Sequence, residues 1–379
     1  MPPLQPPDAA HSAALALIWT QQPEKQNRHA SSWWFFLLCP EGPQGYGPRQ
    51  LMFTVAARAG RRIRINDVWL PGLDLARPVA GGIDRFDAMC VGWSCDGAAV
   101  HDVLRLAAPA ELDATAGHLR CVDAAGQGIT FRRSAEREIG LAASICGPGG
   151  EAEFETWGTL ESAYDAPTVS MDIDTPFGGT HYLGWRRLNF RGRFRLPGGE
   201  ETLQGVGFFQ RVCLTVPTFP WKWVWAVFPD GSLFSAYVPY VGLNLFRKGY
   251  HFFRSERLER ATLAIKPSAT WVPPGAAVPI RFDRVSATPR LGRGPYPQFD
   301  VRAANVAGDE VAFTAAPYGL SRFYIDRPVL GGLLETHWNY NEFMFRLEDL
   351  AGRVAGRALS RQSMGQGFGS FEYTYGVGL

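Results

Sequence analysis

The sequence predicts an all-β chain built from antiparallel barrels with few short helices. Three observations predict it. Gly and Pro, at 42 and 28 of 379 residues, punctuate the chain into short apolar runs bounded by turn-forming residues. The apolar surplus is aromatic, with Phe, Trp and Tyr reaching 13%, a composition that suits pleated sheets. The runs also follow one another without the long helical stretches that a parallel, doubly wound sheet requires.

The elements follow in chain order. Residues 11–19 read as a short leading helix within an N-terminal extension, 1–20. Strands are expected at 33–39, 51–57, 62–69, 86–93, 128–132, 168–173, 182–194, 205–214, 221–228 and 232–239, forming a first barrel over 21–255. Between the last two, Pro229-Asp230-Gly231 marks a hairpin, because Asp-Gly supplies the positive φ angles of a tight reversal. A second barrel over 256–379 is expected from runs at 258–265, 280–285, 299–303, 310–315, 321–325, 334–347 and 369–375. The seam is placed near 254–260, where charge concentrates between apolar stretches. Ser134, with Glu136 and Glu138 behind it, reads as the cap of an interior helix over 134–142.

Composition excludes several functions. Charged residues are 20% and the formal charge is +2, with no basic stripe of the kind that neutralises phosphates, so nucleic acid is not an expected partner. The only lysines are Lys25, Lys222, Lys248 and Lys266. No apolar run approaches the roughly 20 residues of a membrane helix and no leader pattern opens the chain, so a cytoplasmic protein is expected, with peripheral membrane contact left open. The six cysteines are scattered through apolar stretches and are expected to be reduced and buried. There is no G-x-S-x-G elbow, Walker A loop, G-x-G-x-x-G after a strand or H-E-x-x-H, and the seven histidines lie far apart. Neither a metal site nor a cofactor is expected.

The segment from Gly205 to Tyr240 stands out. Trp221, Trp223 and Trp225 alternate at period two and so share one strand face, with Lys222, Val224 and Ala226 on the other. Three indoles on one face line a wide cavity or a thick core, and ordinary packing explains them as readily as a ligand site. Each buried indole N–H needs a partner.

SSWWFFLLC at 31–39, followed by the GVGFFQR strand and the FPWKWVWAVFPDGS hairpin, resembles the lipocalin-like superfamily of carotenoid 1,2-hydratase (hydroxyneurosporene synthase), tocopherol cyclase and the decalin-forming Diels-Alderases. In that superfamily a W-W-[FY] strand opens the first barrel, and a G-x-[GA]-[YFW] strand leads into a W-x-W strand. The resemblance implies two lipocalin-like barrels packed together, with a ligand site in or beside the first. It also implies an isoprenoid, carotenoid or polyketide substrate and no redox cofactor. One departure is clear: where cyclase relatives often carry an acidic or Asn-Trp-Gly element, this chain has Gln210-Arg211-Val212-Cys213.

A catalytic acid is therefore sought among carboxyl, Tyr or His groups that an apolar pocket would shift toward neutrality. Asp172 and Asp174 alternate on one strand, and His181 and Tyr182 follow a Gly178-Gly179 turn. In LLETHWNYNEF, Glu335, His337 and Asn339 share a face opposite Thr336, Trp338 and Tyr340; a surface pair with no role is the alternative. Glu155, Trp157 and Glu161 form a third cluster. The expected catalytic residues are Asp172, Asp174 and His337. Substrate contacts are expected from Trp33, Tyr182, Phe209, Gln210, Trp221, Trp223, Trp225, Tyr237, Trp338 and Tyr340. The function expected is cyclisation or hydration of a large apolar unsaturated substrate, driven by orientation in an aromatic cavity and by cation–π stabilisation. A noncatalytic carrier of a lipid or pigment uses the same barrels, and a purely structural role follows if the cavity is filled.

Overall fold

A computed structural model describes residues 14–20, 31–58, 60–73, 82–137, 139–159, 164–175, 178–215, 219–246, 260–276, 278–292, 294–329 and 334–376. The opening strand, Ser31–Gly42, shows how the sequence dictates the architecture. Trp34, Phe36 and Leu38 point into one core, and Phe35, Leu37 and Cys39 into another. A strand apolar on both faces must be covered on both.

The inner cover is a barrel. Antiparallel strands run in the order Gly150–Trp157, Gly140–Gly147, Gly128–Arg133, His118–Val122, Val100–Asp113, Ile83–Cys95, Gln50–Arg58, Ser31–Gly42, Gly199–Leu214 and Gly178–Leu196. The last pairs back onto the first, Glu151 opposite Arg195 through Trp157 opposite Asn189, so the sheet closes and loses its edges. Trp34, Phe36, Phe53, Phe131, Phe154 and Trp185 fill its interior. Residues 14–17 are helical, and Ala14, Ile18 and Trp19 pack into the same core, with the Trp34 indole donating to the Ile18 carbonyl at 2.7 Å. The earlier part of the helix expected from residue 11 lies outside the described residues.

The outer cover is a second antiparallel sheet, in the order Ile280–Phe282, Ser268–Val272, Leu233–Gly242, Trp221–Val227, Phe368–Gly376, Leu334–Val354, Glu310–Val329, Gln298–Ala304 and Arg284–Arg290. It curls about its own core, in which Val224, Phe234, Phe313, Phe343 and Tyr373 meet. There the Phe299 and Phe371 rings stack with centroids 3.9 Å apart. A closed antiparallel barrel, which the lipocalin-like resemblance implies, is thus present, joined to a second large sheet. No helix among the described residues is long and apolar enough to cross a membrane.

Several expectations change. The sheets exchange between Leu214 and Trp221, so the aromatic hairpin expected in the first barrel pairs in the second sheet, with Trp223 beside Glu372. Most of the seam expected at 254–260 lies outside the described residues. In the hairpin turn only Gly231 takes a positive φ, 82°, while the Asp230 carboxylate accepts from the Ser232 N–H at 3.0 Å. The helix expected over 134–142 does not form. Ser134 Oγ accepts from the Glu136 N–H at 3.2 Å within a turn, and Gly140–Gly147 is a strand whose Leu141, Ala143 and Ile145 fill the barrel at period two. Side-chain capping is local chemistry that turns share with helices. Five cysteines are buried and Cys146 is exposed.

One hairpin crosses between the units. Gly60–Ile65 and Val68–Leu73 pair with each other and follow a barrel strand in sequence, but Gly60–Ile65 joins Glu310–Val329 of the second sheet, Ile63 opposite Ile325 and Arg62 opposite Asp326. Asn66, at φ 50°, turns the hairpin and accepts from the Arg322 N–H at 3.0 Å.

Candidate functional site

The third apolar cluster of the molecule lies between the units. Phe35, Met52, Trp93 and Phe208 on the outside of the barrel meet Trp221, Trp223, Trp225, Phe323 and Trp338 on the outer face of the second sheet. The three indoles share one face, as their alternation predicts, and Val224 and Ala226 pack on the other side. Lys222 also turns away, donating to the Ala287 carbonyl at 2.7 Å with its ammonium 4.9 Å from the Tyr240 ring centroid.

Aromatic rings link the two walls. Trp33 stacks on Trp221 with centroids 6.0 Å apart, Trp221 meets Trp338 at 5.4 Å, and Phe208 meets Trp223 at 4.6 Å. The Arg58 guanidinium sits 4.6 Å from the Trp338 ring centroid. At the deep end, the Trp225 indole donates to the Arg186 carbonyl at 3.0 Å, stitching the units together.

The walls do not meet everywhere. Trp33, Tyr182 and Tyr340 are half-buried and Tyr237 is 41% exposed, although all four face the opposing unit. Burial nevertheless pushes the Tyr182 hydroxyl up to about 12 and raises that of Tyr237, and each feels the charge of Glu372. These rings therefore sit at an open margin of the interface, where solvent reaches the rings and the neighbouring unit crowds their hydroxyls.

Two carboxyls occupy the floor. Glu342 and Glu372 are directly opposite one another on neighbouring strands, which puts their Cβ atoms roughly 5 Å apart on one face. Their exposures are 0% and 1%. Glu372 accepts from the Tyr340 hydroxyl at 2.7 Å and from the Trp221 indole N–H at 2.5 Å. Desolvation outweighs both hydrogen bonds and raises this carboxyl to about 7. Glu342 accepts from the Ser370 hydroxyl at 3.0 Å, while its Oε2 has no hydrogen-bond partner among the described residues. Burial, followed by repulsion from Glu372, pushes Glu342 well above the usual carboxylate range. The nearby Trp93 indole nitrogen lies outside good hydrogen-bond geometry to it.

The structure therefore brings together Trp33, Tyr182, Gln210, Trp221, Trp223, Tyr237, Trp338 and Tyr340, with Trp225 beneath them. It does not bring in Phe209. That ring points into the barrel, 4.6 Å from Phe36, and its neighbour Phe208 faces the crevice instead. The expected acids lie elsewhere. Asp172 is 63% exposed and holds the Nδ1 of His181 at 2.6 Å, and the Asp174 side chain is outside the described residues. His337 is on the opposite face of its strand from Trp338 and Tyr340. Its Nδ1 lies 2.7 Å from both Asp326 Oδ1 and the Tyr324 hydroxyl. Asp326 is fully buried and also takes Arg62 at 2.5 Å. Burial alone would raise Asp326, but the bonds from His337 and Arg62 prevail and hold it low. This cluster clamps the crossing hairpin. Glu155 sits on the outer barrel wall, 3.3 Å from the Ser134 hydroxyl, and Glu161 lies outside the described residues.

Sequence reading missed Glu342 and Glu372. The signal was a lone carboxylate at a strand-interior position among aromatic neighbours, NYNEFMF and FEYTY. No cluster of potential metal ligands occurs among the described residues.

No protein-family model and no curated protein matches the chain. Among solved structures, it is similar to a candidate AttH from Nitrosomonas europaea, at 13% identity and TM-score 0.48, covering 98% of this chain and 97% of that one. It is also similar to CghA, at 12% identity and TM-score 0.48, over 91% of this chain and 88% of that one. A third similar structure is kievitone hydratase from Nectria haematococca, at 12% identity and TM-score 0.44, covering 94% of this chain and 92% of that one.

Proposed function

We propose that the chain is an enzyme that binds a large apolar, unsaturated molecule in the crevice between barrel and sheet and cyclises or hydrates it by proton transfer from Glu372. The observation that carries this reading is a buried carboxyl poised near neutrality on the floor of an aromatic crevice. An acid at about 7 is half protonated at working pH, so it can both give a proton and take one back.

The steps balance. The Glu372 proton adds to one alkene carbon, and its neighbour becomes a cation faced by the indoles of Trp33, Trp221 and Trp338. In cyclisation a second alkene of the same molecule attacks that cation, forming a carbon–carbon bond. Loss of an adjacent proton to the Glu372 carboxylate then gives an isomer of the substrate. In hydration water attacks instead and releases its proton to the same carboxylate. The Tyr340 and Trp221 donors steady the carboxylate left after proton transfer.

The test is turnover of a panel of linear isoprenoids, carotenoids and polyketide polyenes by the wild type and E372Q, followed by chromatography and mass spectrometry. Hydration adds the mass of one water, and cyclisation leaves mass unchanged with one double bond fewer. The reading expects a product that E372Q fails to form while still binding the substrate. Equal turnover by E372Q overturns the acid assignment, and binding without product from the wild type identifies a carrier.

A further inference from the structure

The crevice holds polar groups that the proton transfer does not use. On Gly199–Leu214, Val206 and Phe208 face the crevice, and Gln210 follows on the same face in unbroken register with Ser31–Gly42. Its side chain is only 7% exposed, and its amide makes no hydrogen bond with any described residue. Its polar atoms are not among those sealed from solvent without a partner, so the amide is open at the margin of the apolar cluster and can meet a polar group that arrives from outside the chain.

Two hydroxyls stand beside it. Gly184 is the neighbour of Gln210 across the strand pair, and a Cβ on Gly184 would come within 3.3 Å of the Tyr182 hydroxyl. The absence of a side chain there lets Tyr182 fold over toward the amide. From the opposite wall, Tyr237 stands next to Trp223 in the sheet, close enough to Tyr182 for their charges to interact. Neither hydroxyl bonds to a described residue, and both keep their protons well beyond neutral pH, so both are available donors.

We infer that Tyr182, Gln210 and Tyr237 form an oxygen-binding subsite, and that the substrate is an unsaturated ketone, enol or related oxygenated polyene rather than a pure hydrocarbon. Two of these donors suffice for the two lone pairs of a carbonyl oxygen, and the Gln210 amide oxygen can accept from an enol hydroxyl. In an otherwise apolar crevice such a group fixes which end of the molecule enters first and which double bond lies over Glu372. This inference rests on the crevice being the substrate site.

The test uses farnesylacetone and its analogue with a methylene in place of the carbonyl, each displacing the apolar dye N-phenylnaphthylamine from the full chain. The wild type is expected to prefer the ketone by about 10-fold or more, since each hydrogen bond contributes roughly 2- to 10-fold. The variants Q210L and Y182F/Y237F should each lose most of that preference, read within each protein as the ratio of its affinities for the two probes. Infrared spectra supply a second readout: the ketone stretch should move to lower frequency in the wild type and return toward the free value in the variants. Equal affinity for the two probes in the wild type overturns the oxygen subsite and leaves the crevice reading standing. Displacement by neither probe overturns the crevice as a polyene site, and the subsite with it.

Discussion

Replacing Glu372 with Gln preserves the shape of the floor while removing the ionisation. The amide oxygen can still accept from the Trp221 N–H, and the amide nitrogen can donate to the Tyr340 oxygen. In the wild type the carboxyl titrates near 7 when folded and near 4.5 in the open chain. Below about 4.5 both states hold the proton and ionisation has no effect on folding. Between the two values the unfolded chain releases its proton first, so stability falls as pH rises, and above about 7 the whole loss is present. At about 1.4 kcal/mol per unit the loss is about 3 kcal/mol, or roughly 4 °C in Tm for a chain of this length. Urea unfolding at about pH 4 and about pH 8.5, followed by tryptophan fluorescence, measures it as the difference between wild type and E372Q. The variant should equal the wild type at the acid end and exceed it by about 3 kcal/mol at the alkaline end. If both proteins lose stability equally over this range, Glu372 is not the buried acid argued above.

Three further outcomes follow from the same geometry. W221F removes one of the two donors to Glu372, so the pH at which the stability loss is complete should move up by about one unit in the same unfolding series. D326N weakens the clamp on the crossing hairpin and should lower stability by about 2 kcal/mol, with faster hydrogen exchange over residues 60–73. Because the folded-state pKa of Asp326 is depressed, its contribution is present above the usual carboxylate range and fades as pH falls, so the variant and wild type should converge in acid. G184A places a methyl group against the Tyr182 hydroxyl. It should change stability by under about 1 kcal/mol yet reduce the ketone preference in dye displacement, because only the hydroxyl must give way.

The sequence by itself determined the strands and their faces. Alternation is a property of the backbone, so Trp221, Trp223 and Trp225 had to share one side wherever the strand went, and SSWWFFLLC had to be covered twice. It also supplied Gln210, Tyr182 and Tyr237, because polar residues inside apolar strands are visible one strand at a time. Only the tertiary structure decided what lay opposite. Glu342 and Glu372 are thirty positions apart and become a pair solely because two strands run side by side in one register. Their burial depends on the barrel wall that covers them. For the same reason His337 and Asp172, titratable and well placed in the sequence, fell outside the crevice: period two names two faces, and long-range pairing decides which of them meets the other unit.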